Sequence, residues 1–145
     1  MRAVLFAAFA LAACASPASG IGEPTPTPQP EHIQMDLEQR AEALRAEGVV
    51  AAGIGETADL GNGLRVRPLE VLEDSRCPQN ARCVWAGRLR LRVSVEGVGE
   101  REIEDNETGL QTPRGSFALV AISPGTWTGW PESQRPPYRF GFRRS

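Results

Sequence analysis

The feature that most constrains this chain lies in residues 74–87, Asp-Ser-Arg-Cys-Pro-Gln-Asn-Ala-Arg-Cys-Val-Trp-Ala-Gly. Cys77 and Cys83 enclose a short turn that includes Pro78 and Asn80, and a strongly alternating segment follows. Two cysteines this close in an oxidising compartment are expected to bond to each other. The bond closes a small loop that turns the chain between two strands. Loop entropy for a ring of this size corresponds to about 2.4 kcal/mol before any strain is subtracted. Zinc would need two further Cys or His ligands, and none occurs in residues 49–145. A thioredoxin-like pair needs Cys-x-x-Cys, which this spacing does not match. The expected bridge is structural.

An oxidising location is suggested by the start of the chain. Met1-Arg2 is followed by an apolar run containing Leu5, Phe6 and Phe9, then by Leu11-Ala12-Ala13-Cys14. A charged start, a short apolar centre and small residues at a cut site form a secretory signal, here residues 1–13. The run is too short to span a bilayer as a mature helix. Leu-Ala-Ala-Cys resembles the lipobox of bacterial lipoproteins. That likeness implies that Cys14 becomes the new N-terminus and carries acyl chains such as palmitate, which would fix the protein to a membrane. The alternative is an ordinary cleaved signal with Cys14 incidental. Ala15, rather than Asp, follows the cysteine, which by the same likeness implies the outer membrane facing the periplasm. Residues 14–31 carry Pro17, Pro24, Pro26, Pro28 and Pro30 among Ser, Thr and Gly. Such a segment is expected to act as an extended spacer; a proline-rich ligand for a partner domain is the weaker reading.

Residues 32–48 are read as an amphipathic helix with Ile33, Leu37, Ala41 and Leu44 on one stripe and Gly48 as its terminal cap. So narrow a stripe either packs on the following domain or leaves the helix marginal. Residues 49–145 then form a disulfide-containing β-domain. Period-two patterning is read from Ile54, Gly61-Asn62-Gly63 marks a tight turn, and Pro68 belongs at a bulge or an edge. Leu89, Leu91, Val93 and Val95 alternate with Arg88, Arg90, Arg92 and Ser94 in the clearest strand. A turn at Gly97-Val98-Gly99 would place Glu96 opposite Glu100 and Arg92 opposite Glu104, so that arginines meet glutamates. Further strands are read at residues 116–123 and 138–143, separated by a long loop holding Trp127 and Trp130. The expectation is an all-β fold of six or seven antiparallel strands, a small sandwich or partly open barrel, with one N-terminal helix.

Asp74-Ser75-Arg76-Cys77-Pro78, followed by Cys83-Val84-Trp85-Ala86-Gly87, resembles the signature of a group of small uncharacterised bacterial lipoproteins and secreted proteins. The likeness is close over residues 74–87 and looser over the strands around them. It implies an envelope location and a small fold, and it implies no activity.

Several chemistries are excluded by residue type. The basic residues are all arginine, so no lysine nucleophile or phosphate-binding lysine exists. Removing Arg2 with residues 1–13 leaves 15 arginines against 18 carboxylates, a formal charge of about −3. That balance argues against nucleic acid as a partner. The single histidine, His32, stands outside the β-domain, so no Ser-His-acid triad can form there. Neither a metal site nor a cofactor is expected. The best-placed carboxylate pair for hydrolysis is Glu73 with Asp74, but adjacent residues of an extended chain point to opposite faces; Asp74 is better suited to accept backbone N–H groups of the tight loop or to pair with Arg76. Arg88, Arg90 and Arg92 form an anion-binding strip only if the glutamates leave them free. Trp127 and Trp130 in the long loop are read first as caps over the open end of the sandwich; the alternative makes them binding residues, with Arg76 and Trp85 beside the disulfide as further candidates. The favoured function is a non-enzymatic envelope module that binds an envelope protein or a cell-wall glycan, or serves structurally. The alternative is a carboxylate-dependent hydrolase acting on an envelope substrate.

Overall fold

The computed structural model describes residues 27–145. The expected signal segment, Cys14 and the expected spacer up to residue 26 lie outside the described residues. The chain is mostly β, with one helix, α1 (Pro30–Leu44). Eight strands follow: β1 (Val49–Gly53), β2 (Ala58–Asp59), β3 (Arg65–Asp74), β4 (Leu89–Val95), β5 (Gly99–Glu104), β6 (Leu110–Thr112), β7 (Gly115–Ser123) and β8 (Arg139–Arg144). They form two antiparallel four-stranded sheets, ordered β1-β8-β7-β6 and β2-β3-β4-β5. Among the described residues no ladder joins the two, so they do not close into a barrel.

One core cluster draws on both sheets. Leu89, Leu91, Val93 and Val95 contribute from β4, whose residues alternate strictly between buried and half-buried. Phe117, Phe140 and Phe142 contribute from β7 and β8, with the Phe117 and Phe142 rings edge to face at 6.0 Å. Fully burying side chains of this size is worth about 1.5–3 kcal/mol each, so these two inward rows dominate the cohesion of the domain. Gly141, between the two phenylalanines, turns its other side toward Leu44 of α1. A Cβ there would come within 2.7 Å of Val49 and 2.9 Å of Ala121. Only glycine lets the helix and β1 approach β8 so closely.

The structure revises the sequence reading in several places. The helix begins at Pro30, whose missing N–H costs nothing in the first turn, and it ends at Leu44. Gly48, at φ +75, serves the turn into β1 instead of capping the helix. The strand β1 is not visible as alternation, because Val-Val-Ala-Ala-Gly offers no polar partner positions. Ile54, read as the start of a strand, is exposed in the turn after it. Pro68 does sit beside a bulge in β3. The β4–β5 hairpin pairs Val95 with Gly99 and Arg92 with Glu102, two residues away from the expected register. A shift by two keeps every side chain on its own face. It also removes the Glu96–Glu100 opposition and frees Glu96 to meet Arg65 at 3.3 Å.

Candidate functional site

Beyond the last paired residues of β3 and β4, the two arms stay together. Ser75 N–H donates to the Arg88 carbonyl (2.9 Å) and Cys77 N–H to the Ala86 carbonyl (3.0 Å). Gly87 lies in this neck at φ +69, where a Cβ would overlap the Ser75 carbonyl oxygen. The motif glycine is thus required twice, for its backbone angle and for its closeness to the opposite arm. Past the neck, Cys77 and Cys83 are bonded, with their Cα atoms 5.9 Å apart.

This closed loop docks on the long loop of residues 124–137. Gln79 N–H donates to the Thr126 carbonyl (2.8 Å). The Asn80 side chain acts like a strand residue: its amide donates to the Thr128 carbonyl (3.0 Å) and its oxygen accepts from the Thr128 N–H (2.8 Å). Thr126 Oγ1 lies 3.2 Å from the carbonyls of both Arg76 and Cys77. At roughly 0.5–1.5 kcal/mol per bond, this set holds the two loops as one body.

Beneath the joint lies an ion pair joined by a neutral phenol. Arg76 grips Asp74 with Nε at 2.8 Å and Nη2 at 2.7 Å, and Tyr138 donates its hydroxyl to the same carboxylate at 2.7 Å. Arg76 Nη2 also reaches the Pro124 carbonyl at 3.1 Å. The Asp74 and Arg76 side chains are only 11% and 12% exposed. Burial alone would raise the Asp74 pKa, but the Arg76 and Tyr138 hydrogen bonds outweigh it and hold the carboxyl below its usual range. The Tyr138 phenol is pushed up to about 12, first by burial and then by the Asp74 carboxylate.

The helix fastens the same loop from its other side. Asp36 accepts from Arg40 Nε (2.8 Å), from Gly125 N–H (3.2 Å) and from Trp127 Nε1 (3.5 Å). Arg40 Nη1 donates to the Ile122 carbonyl (2.9 Å). His32 stacks on Trp127, with ring centroids 6.5 Å apart and planes 18° from parallel. The narrow apolar stripe is therefore supplemented by polar docking.

Between the two loops opens a cleft of about 520 Å³. Asp74, Arg76, Trp127, Glu132, Arg135 and Tyr138 line it, with Pro78, Pro124 and Pro136 as rigid walls. Arg135 is aimed by its bonds to the Trp130 carbonyl (3.1 and 2.7 Å). The lining offers two aromatic rings and balanced charges, two carboxylates and two guanidiniums, which suits a polar ligand with an apolar face.

The residues singled out by sequence separate here. Arg76 and Trp127 line the cleft, Trp127 half-buried. Trp130 is 5% exposed and lines a groove with Pro28, Pro30, Ile33 and Leu37, on the helix side of the loop and outside the core cluster. Trp85 is elsewhere, 83% exposed at the outer edge of the disulfide loop. Glu73 faces the outside of the sheet, held by Ser75 (2.8 Å) and Arg88 (3.3 Å), and these contacts, Ser75 first, lower its pKa. The arginine strip is paired too, Arg90 with Glu102 at 2.6 Å and Arg92 with Glu70 at 3.0 Å. Tyr138, Asn80, Asp36, Glu132 and Arg135 escaped the sequence reading. A weak signal existed in Tyr138, the chain's single tyrosine. Among the described residues no group of three His, Cys, Asp or Glu could hold a metal ion. No helix among them is long and apolar enough to cross a membrane.

Fold and site together define a small two-sheet domain carrying a preformed cleft between two mutually clamped loops. No protein-family model, curated protein or solved structure matches the chain.

Proposed function

We propose that this protein is a lipid-anchored bacterial envelope module that binds a cell-wall glycan, without cleaving it, in the cleft between the disulfide loop and residues 124–137. In this reading the two sheets stack as a sandwich, which their shared core cluster supports. Acylated Cys14 holds the domain at the membrane, and the proline-bearing segment spaces it from the surface. The observation that carries the binding reading is the state of Asp74. Glycoside hydrolysis of the usual two-carboxylate kind needs one carboxyl kept protonated by its surroundings. Asp74 has the opposite setting: both oxygens are engaged by Arg76 or Tyr138 and its pKa is lowered. Glu73, the other expected member, is ion-paired on the outside of the sheet. With both oxygens engaged, Asp74 has none free to act as nucleophile or water base. Glu132 is left as the one other carboxylate lining the cleft, and the lining is read as a recognition surface. Aromatic rings can cover the apolar faces of a pyranose, while Arg135 and Glu132 can bond its hydroxyls.

The test is co-sedimentation of the purified mature chain with isolated peptidoglycan sacculi. Binding is expected for the unaltered protein and should fall at least tenfold in Trp127→Ala and Arg135→Ala, while Trp85→Ala binds as before. Thermal unfolding of each variant separates lost binding from lost folding. Equal sedimentation of folded Trp127→Ala and Arg135→Ala would remove the glycan assignment. Cleaved muropeptides in the supernatant would restore the hydrolase.

A further inference from the structure

On the return arm of the disulfide loop, between Cys83 and the neck at Ala86, Val84 and Trp85 form a protruding tip, 93% and 83% exposed. Single exposed apolar residues are ordinary. Two adjacent ones this bare, on a tip braced by a disulfide and by hydrogen bonds to residues 126 and 128, are not. The uncompensated charge of this segment is a single arginine. Residues 75–87 contain Arg76 and Arg82 and no carboxylate. Arg76 is committed to Asp74, whereas Arg82 is exposed and has no ion-pair partner among the described residues. A protein of net charge −2 thus presents a cationic, aromatic tip.

The position of the tip is equally informative. Pro28 and Pro30, at the start of the described chain, line a groove with Gly129 and Trp130. Asn80 of the disulfide loop is bonded to the neighbouring Thr128. The disulfide loop that carries the tip and the N-terminal approach therefore both border residues 128–130. Cys14 and Thr27 are only 13 positions apart, a reach of at most about 45 Å.

From these observations we infer that the Val84–Trp85 tip is a second membrane contact, seated in the headgroup layer of an anionic leaflet. Tryptophan favours that layer because its ring is apolar and its N–H can stay wet. Arg82 would meet lipid phosphates, to which a basic segment is drawn. The contact sets which way the domain faces once it is tethered. The inference rests on the lipid-anchor reading for its geometry.

A test that separates the two uses the mature chain from residue 15 with an N-terminal hexahistidine in place of Cys14. It is held on phosphatidylglycerol-containing vesicles by a nickel-chelating lipid, so the tether exists whether or not cells acylate Cys14. Vesicles with and without bromine on the upper acyl chains are compared, for the unaltered chain and for Trp85→Phe. The difference between these two proteins isolates Trp85 emission from that of Trp127 and Trp130. Bromine is expected to quench the Trp85 share at least twofold, and Arg82→Gln should reduce that quenching. Equal Trp85 emission on both vesicle types overturns the inference. So does a Trp85 spectral shift that follows protein concentration without lipid, which would mean that a second copy covers the tip.

Discussion

Tyr138 is the only tyrosine in the chain, so its phenol can be titrated alone. Burial and the Asp74 carboxylate push its pKa up to about 12. The absorbance change of tyrosinate formation should therefore centre near pH 12, against about 10 for a free phenol. A midpoint near 10 in folded protein would contradict the Asp74–Tyr138 bond. Because the folded pKa is the higher one, this contribution to stability is complete below about pH 10 and is lost as pH rises through about 12. Asp74 behaves inversely. Its folded pKa is lowered, so its contribution is present above the ordinary value of about 3.9 and disappears as the medium becomes more acidic than that. Asp74→Asn should lower the phenol transition, read by absorbance, by the carboxylate's share while the larger effect of burial stays, and should weaken the acid-side loss of stability read by pH-dependent denaturation. A second prediction concerns Gly87. Adding one methyl there forces both the positive φ and the overlap with Ser75, so Gly87→Ala should cost about 2–4 kcal/mol in urea unfolding. Sequence reading reached the Asp74–Arg76 pair because two residues of one loop can be compared directly. It could not reach Tyr138, which lies 64 positions from Asp74 and meets it only through the fold.

The joint between the two loops belongs to the scale of elements. Cys77→Ser with Cys83→Ser should lower stability by about 2 kcal/mol through loop entropy. Asn80→Ala should cost about 1–2 kcal/mol, since the N–H and carbonyl of Thr128 both lose a partner. Both changes free the same loop, so their sum should exceed the loss in the triple variant. Chemical denaturation of the three proteins measures this coupling, and strict additivity would show that the loops act independently. Elements with a strong period were legible. The inward row of β4 was read residue for residue, as were the Gly61-Asn62-Gly63 turn and the Pro68 irregularity. Elements without a period were missed. Nothing in Val49–Gly53 or Leu110–Thr112 distinguishes a strand from a connection until a neighbour accepts its hydrogen bonds. The hairpin register was misplaced for a related reason. Gly97 and Gly99 both adopt positive φ, so the glycines alone do not choose between adjacent turns.

For the molecule as a whole, α1, the long loop and the disulfide loop form one continuous support around the cleft, joined through Asp36, Trp127 and Asn80. This arrangement explains why an isolated reading of the tryptophans was incomplete. Trp130 is buried, Trp127 is shared between helix and cleft, and Trp85 is left bare at the far edge. Their three environments depend on contacts between segments up to about 90 positions apart, such as Asp36 with Trp127. The proposed role depends in turn on where the chain resides, because both the oxidised loop and the glycan partner require an envelope location. The most direct measurement is the intact mass of the protein extracted from native bacterial membranes. The account predicts a chain that starts at an acylated Cys14 and is two hydrogens lighter from the Cys77–Cys83 bond. A chain that retains Met1, with Cys14 unmodified and Cys77 and Cys83 reduced, would contradict it.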